Sequence, residues 1–79
     1  MSFRLLAFGV ARETIGSEVN VDVSEITDVR GLRVWLFDNH PQLTGLNKWA
    51  VAVNEKYADD SVPIFHGDVV AIIPPVSGG

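Results

Sequence analysis

The chain has 79 residues, of which 47% are hydrophobic and 20% charged, with a net charge of −4 and no cysteine. That length holds one domain near the lower limit of what folds without disulfides or metal, and the apolar fraction excludes a disordered chain. The absence of cysteine excludes a disulfide framework, a thiolate nucleophile and cysteine-ligated metal, and the acidic balance argues against a phosphate-backbone binder, so the expected partners are proteins.

In chain order, Phe3 to Phe8 is apolar apart from Arg4 and, being short and uncapped, reads as a buried first strand. Gly9 to Ser17, with two glycines around Arg12, Glu13 and Thr14, reads as a loop. Glu18 to Val23 then alternates polar and apolar, the period of a strand with one wet face, so the two segments predict a hairpin. Asp28 can cap a helix in which Val29, Leu32, Leu36 and Asn39 or His40 follow at helical spacing, and Pro41 stops it. Gly31 inside that helix costs about 1 kcal/mol against alanine and marks either close packing or an indifferent position. Val34, Trp35 and Phe37 spread apolar surface beyond one stripe and are read as additional core.

After a turn-rich stretch from Pro41 to Asn47, Trp49 to Val53 is a β-prone run, and Asn54-Glu55 turns into a short strand at Lys56-Tyr57. Pro63-Ile64-Phe65 reads as a short turn or 3₁₀ segment, and Gly67-Asp68 as a tight turn. Val69 to Ile73, continuously apolar, is expected as a central strand covered on both faces. Pro74-Pro75 ends the ladder and stiffens the exit, leaving Val76-Ser77-Gly78-Gly79 as a tail. Strand, strand, helix, strand, short strand, strand predicts an α+β domain over residues 1–75. The expected fold is a β-grasp, ubiquitin-like, with a mixed sheet of 4–5 strands around one main helix. No basic start with an apolar run, and no apolar segment near the roughly 20 residues that span a bilayer, appears, so a cytoplasmic protein is expected.

Four segments together resemble a known family. Phe8-Gly9-Val10-Ala11-Arg12-Glu13-Thr14-Ile15-Gly16 is similar to its first loop, Val51-Ala52-Val53-Asn54-Glu55 to its AVN strand end, and Gly67-Asp68-Val69-Val70-Ala71 to its GDEVA strand start. The closing Pro74-Pro75-Val76-Ser77-Gly78-Gly79 resembles its terminal PPVSGG. The family is the small, sulfur-carrying subunit of molybdopterin synthase. Trp35, Trp49 and Lys48 depart from its usual pattern at packing positions and leave the motifs intact. A bare Gly-Gly end is shared with thiamine-type sulfur carriers and ubiquitin-like protein modifiers, which stand as the alternatives.

The resemblance implies a chemistry centred on Gly79. Its carboxylate would be adenylated by a ubiquitin-activating-type enzyme using ATP and Mg²⁺, then converted to a thiocarboxylate by a sulfur donor. It would next give its sulfur to cyclic pyranopterin monophosphate, held by the large synthase subunit in a heterotetramer, to build the dithiolene of molybdopterin. The chain itself would bind no cofactor and hold no complete active site. Pro74, Pro75, Val76, Ser77 and Gly78 would thread the tail into the partner; six extended residues reach about 20 Å, and the two glycines leave a narrow channel unobstructed.

Arg12 and Glu13, matching the family loop, are expected at the partner interface. Phe8, Tyr57 and Ile73, apolar residues at strand ends near the tail exit, are expected to form its hydrophobic patch, with core packing an equal reading for Ile73. His40 and His66 lack metal-site spacing, so no metal is expected. Asp59, Asp60 and Asp68 sit in turn-like sequence and are read as structural, and Ser77 has no adjacent base that would make it a nucleophile.

Overall fold

The computed structural model describes residues 2–75. The elements are β1 (Phe3–Ala7), α1 (Val10–Ile15), β2 (Glu18–Val21), α2 (Val29–Asn39), a 3₁₀ turn (Leu46–Lys48), β3 (Ala50–Val53), β4 (Lys56–Tyr57) and β5 (Val69–Ile73). The strands form one mixed sheet in the order β2-β1-β5-β3-β4. The first and last strands run parallel at its centre, Leu5 opposite Val70, while β2 pairs antiparallel with β1, and β3 antiparallel with both β5 and β4.

Helix α2 forms where its signals predict. The Asp28 carboxylate accepts the Gly31 amide at 2.8 Å, satisfying one free donor of the first turn, and the His40 amide closes the last turn on the Leu36 carbonyl. Gly31 is a site of close packing: a Cβ there would lie 3.3 Å from the capping Asp28 oxygen. Val29, Leu32 and Leu36 line one stripe and are all buried. They pack with Phe3, Leu5, Val21, Val51, Val70 and Ile72 of the sheet in one core cluster, closed at its ends by Ile26, Leu43, Trp49 and Ile64. Each such aliphatic side chain contributes on the order of 1.5–3 kcal/mol. Trp49 fits because its indole N–H reaches the Thr44 carbonyl at 3.2 Å. Arg33 ties α2 to two loops, donating to Asp60 at 2.7 Å and to the Leu46 carbonyl.

Four expectations need correction. Residues 10–15 are helical, held by the fully buried Ala11; fewer than two turns carry no period for a sequence to display. Pro63 forms an isolated antiparallel bridge with Asp28 instead of a 3₁₀ turn, because flanking amides tie the segment to the helix entry, Val29 to the Val62 carbonyl and Ile64 to that of Thr27. β5 is central but covered on one face alone, since only one side of the sheet carries α2: Val70 and Ile72 are buried while Val69, Ala71 and Ile73 are partly exposed. Val34 and Phe37 are 56% and 65% exposed, because the stripe of Val29, Leu32 and Leu36 leaves them on the far side of the helix.

Candidate functional site

Strand alternation sends one row of side chains into the core and the other onto the open face. Register identifies the second row. Glu18 lies opposite Leu6, Leu6 opposite Ala71, Ala71 opposite Ala52 and Ala52 opposite Tyr57, a line that crosses all five strands. Next to it, toward the C-terminal end of β5, Ile73 pairs with Ala50, and Phe8 follows Ala7 on β1. Phe8 is 48% and Tyr57 80% exposed, while Ile73 is half-buried. The face is therefore apolar, shallow because of its alanines, and bounded at one side by the Arg4–Glu18 ion pair. Pro74 leaves it directly from Ile73.

The structure brings the three predicted apolar residues to one face but not into one cluster. Phe8 and Ile73 are at neighbouring strand ends, whereas Tyr57 sits on the edge strand three positions across, about 14 Å from Phe8 at the usual strand spacing. Arg12 and Glu13 are exposed on α1 and make no ion pair with each other. Pro74 is half-buried and Pro75 exposed; Val76, Ser77, Gly78 and Gly79 lie outside the described residues. Leu6, Ala50, Ala52 and Ala71 complete the face and were missed from sequence, their only signal being the alternation within each strand.

The remaining polar candidates are occupied structurally. Asp59 accepts the Ser61 amide at 2.9 Å and its hydroxyl, which hold its carboxyl below the ordinary value of 3.8. Asp68 accepts the Phe65 amide at 2.8 Å and the Asn54 side chain at 3.0 Å, while Asp60 pairs with Arg33. The His66 ring accepts the Ser2 amide, and the His40 ring stands edge-on to Trp35. Among the described residues no group of three or more His, Asp or Glu is placed to hold a metal ion. None of the described helices is long and apolar enough to cross a membrane.

One helix packed on a five-stranded mixed sheet, with the first and last strands parallel at the centre, defines an α+β domain of the β-grasp, ubiquitin-like class. The chain belongs to the ThiS family, whose model matches residues 5–79. It is similar to the molybdopterin synthase sulfur carrier subunit of Caenorhabditis elegans, 34% identical with 100% of this chain and 99% of that one covered. Among solved structures it resembles SAMP1 of Haloferax volcanii, with a TM-score of 0.78, 29% identity and both chains fully covered. It also resembles a chain in the complex of subunits 1 and 2 of the molybdopterin-converting factor of Helicobacter pylori, with a TM-score of 0.69, 26% identity and full coverage of both.

Proposed function

We propose that this chain is the sulfur carrier subunit of a molybdopterin synthase. The observation that carries the reading is the likeness over the whole length to sulfur carrier subunits. The open apolar face ending at the exit of Pro74 agrees with it, since a carrier must dock its body and present its terminus together.

A carboxylate is a poor electrophile at neutral pH, so it needs activation. The Gly79 carboxylate attacks the α-phosphate of ATP on an activating enzyme that supplies the nucleotide and Mg²⁺, forming an acyl-adenylate and releasing pyrophosphate. The outer sulfur of a persulfide donor displaces AMP to give an acyl disulfide. A second thiol, supplied by the donor side because this chain has no cysteine, cleaves its S–S bond, releasing the thiocarboxylate and leaving a disulfide. On the large synthase subunit, that sulfur attacks a carbon of cyclic pyranopterin monophosphate, and hydrolysis returns the carboxylate. Gly78, Ser77, Val76, Pro75 and Pro74 carry the terminus into each partner. Phe8, Ile73 and Tyr57 dock on the partner bodies, with Arg12 and Glu13 making partner contacts from the exposed side of α1. The protein works in the cytoplasm, and the likeness to one chain of the Helicobacter pylori complex supports a large-subunit partner.

The test is intact-mass analysis after incubation with the activating enzyme, ATP and a sulfur donor. The expected gain is that of one oxygen replaced by sulfur; an unchanged mass sinks the reading. Removing Gly79 should abolish the gain and leave cooperative unfolding unaltered. The likeness to SAMP1 supports a second reading, in which the same adenylate yields an amide bond to lysines of other proteins. Lysine-linked Gly79 in cell extracts, without a thiocarboxylate, would establish it.

A further inference from the structure

The parallel ladder between β1 and β5 runs from Arg4 opposite Val69 to Ala7 opposite Ile72. Continued, it sets Phe8 beside Ile73 and Gly9 beside Pro74, and there it ends, because proline has no amide hydrogen to donate. Gly9 adopts φ 60° and ψ −136°, a conformation that L side chains rarely take. A Cβ built on Gly9 would lie 2.7 Å from Cγ of Pro74 and 3.5 Å from its Cδ. The pyrrolidine ring therefore lies where a side chain of residue 9 would be.

Gly9 has little freedom to retreat. Its carbonyl accepts the Arg12 amide at 3.1 Å, opening α1, and Ala11 two residues on is fully buried. On its other side Ala7 is the last residue of β1 and is itself buried. Residue 9 is thus held between two anchored positions, and any group added to it must displace Pro74. Gly16, at the far end of α1, supplies the contrast: its φ is 90°, equally unfavourable for a side chain, yet nothing lies within 4 Å of a Cβ built there.

We propose that Gly9 is a positioning residue: by seating the ring of Pro74 it fixes the direction in which the chain leaves the sheet, and so where the terminus arrives once the body has docked. The functional consequence rests on the sulfur-carrier reading, whereas the seat itself does not. A terminus that must meet the phosphate of ATP is sensitive to aim. A displacement of about 1 Å lowers the rate of such a step by up to a hundredfold without weakening the docking of the body.

The experiment compares Gly9→Ala, Gly16→Ala, Pro74→Ala and the double variant Gly9→Ala/Pro74→Ala in thiocarboxylate formation with the activating enzyme, ATP and a sulfur donor. Gly9→Ala should lower kcat by about tenfold or more with little change in KM, the split expected when orientation and not docking is lost. Gly16→Ala carries similar backbone strain and should stay within about twofold of the parent in both constants. Pro74→Ala removes the ring atoms that a new Cβ would strike, so in that background Gly9→Ala should cost nothing further. Equal losses in the two glycine variants, or an undiminished cost of Gly9→Ala beside Pro74→Ala, would overturn the proposal.

Nuclear magnetic resonance of the protein alone separates this from failure of the functional reading. The parent should show a contact between the Gly9 α-protons and the Pro74 ring, and Gly9→Ala should shift the resonances of Pro74 and Pro75 while Gly16→Ala leaves them in place. If the parent takes up no sulfur, the sulfur-carrier reading fails and the seat stands or falls on these shifts alone. Unchanged Pro74 and Pro75 resonances in Gly9→Ala refute it.

Discussion

The two faces of the sheet carry almost the same kind of residue and do opposite things. Toward α2, Phe3, Leu5, Val51, Val70 and Ile72 are buried to within a few per cent. Away from it, Leu6, Phe8, Ala71, Ile73, Ala50 and Tyr57 are apolar as well, yet all of them stay partly or largely exposed. Single exposed apolar residues call for no explanation, but a set that spans the four strands β1, β5, β3 and β4 and reaches the chain exit at Ile73 does. The difference teaches that hydrophobicity in one strand can serve stability on alternate residues and recognition on those between. Val69 to Ile73 carries both rows within five residues, Val70 and Ile72 buried and Val69, Ala71 and Ile73 partly exposed.

Breaking the comparison from the core side should give the largest effect. Ile72→Ala removes a side chain that is 1% exposed and should cost about 2–5 kcal/mol in chemical denaturation. A loss well below 1 kcal/mol would mean that the helix-facing row is not the one that holds the fold. From the open side, Phe8→Ala should leave stability within about 0.5 kcal/mol. It should weaken docking to the activating enzyme or the large subunit by about 2 kcal/mol, near thirtyfold in Kd by titration calorimetry. Unfolding of Phe8→Ala, or unaltered affinity for both proteins, would remove Phe8 from the docking face.

The outer side of α2 sharpens the contrast. Val34 and Phe37 are as exposed as Phe8, but they lie across the domain from the open face, beside Leu46 and Gly45. Phe37→Ser should change both stability and docking by less than about 0.5 kcal/mol. A docking defect comparable to that of Phe8→Ala would show that exposure alone, without continuity with the exit, is enough.

The smallest effect concerns Asp59, in the loop after β4 and held by Ser61. Its pKa is lowered on folding, so the stability it contributes is present above the unfolded value and is lost as pH falls through the folded one. A carboxyl titration followed by nuclear magnetic resonance should find its midpoint below 3.8 and find it raised in Ser61→Ala. An unmoved midpoint would acquit the hydroxyl, the larger of the two causes.

Much of this architecture could be read before any coordinates, for local reasons. Asp28 and Pro41 bracket α2 with side-chain chemistry that works within one turn, and Glu18 to Val21 shows its wet face by alternation. The remainder depended on what lies overhead. In Val69 to Ile73 both rows are apolar, so nothing local distinguishes the covered row from the open one. Helix α1 owes its place to burial of Ala11, a residue neutral in any pattern. Residues Phe8, Ile73 and Tyr57 could be guessed as patch members, but the alanines between them could not, since a small side chain in a strand advertises neither burial nor contact. Gly9 showed only as a loop glycine, and its contact with Pro74 had no signal, because that partner is set by a register spanning the length of the chain.

That register has a kinetic side. The parallel pair at the centre of the sheet joins Arg4 to Val69, so the middle of the structure is also its longest loop closure. Until β5 arrives, the β1–β2 and β3–β4 hairpins share no hydrogen-bonded neighbour. A chain still being synthesised can form either hairpin, but it cannot join them into one sheet. Because Pro74 follows directly on the strand that completes the assembly, the exit comes into being in the same step as the finished domain. The open face is completed in that step too, since Leu6 and Ala71, its central pair, lie on the two strands that meet there, and neither hairpin alone carries it.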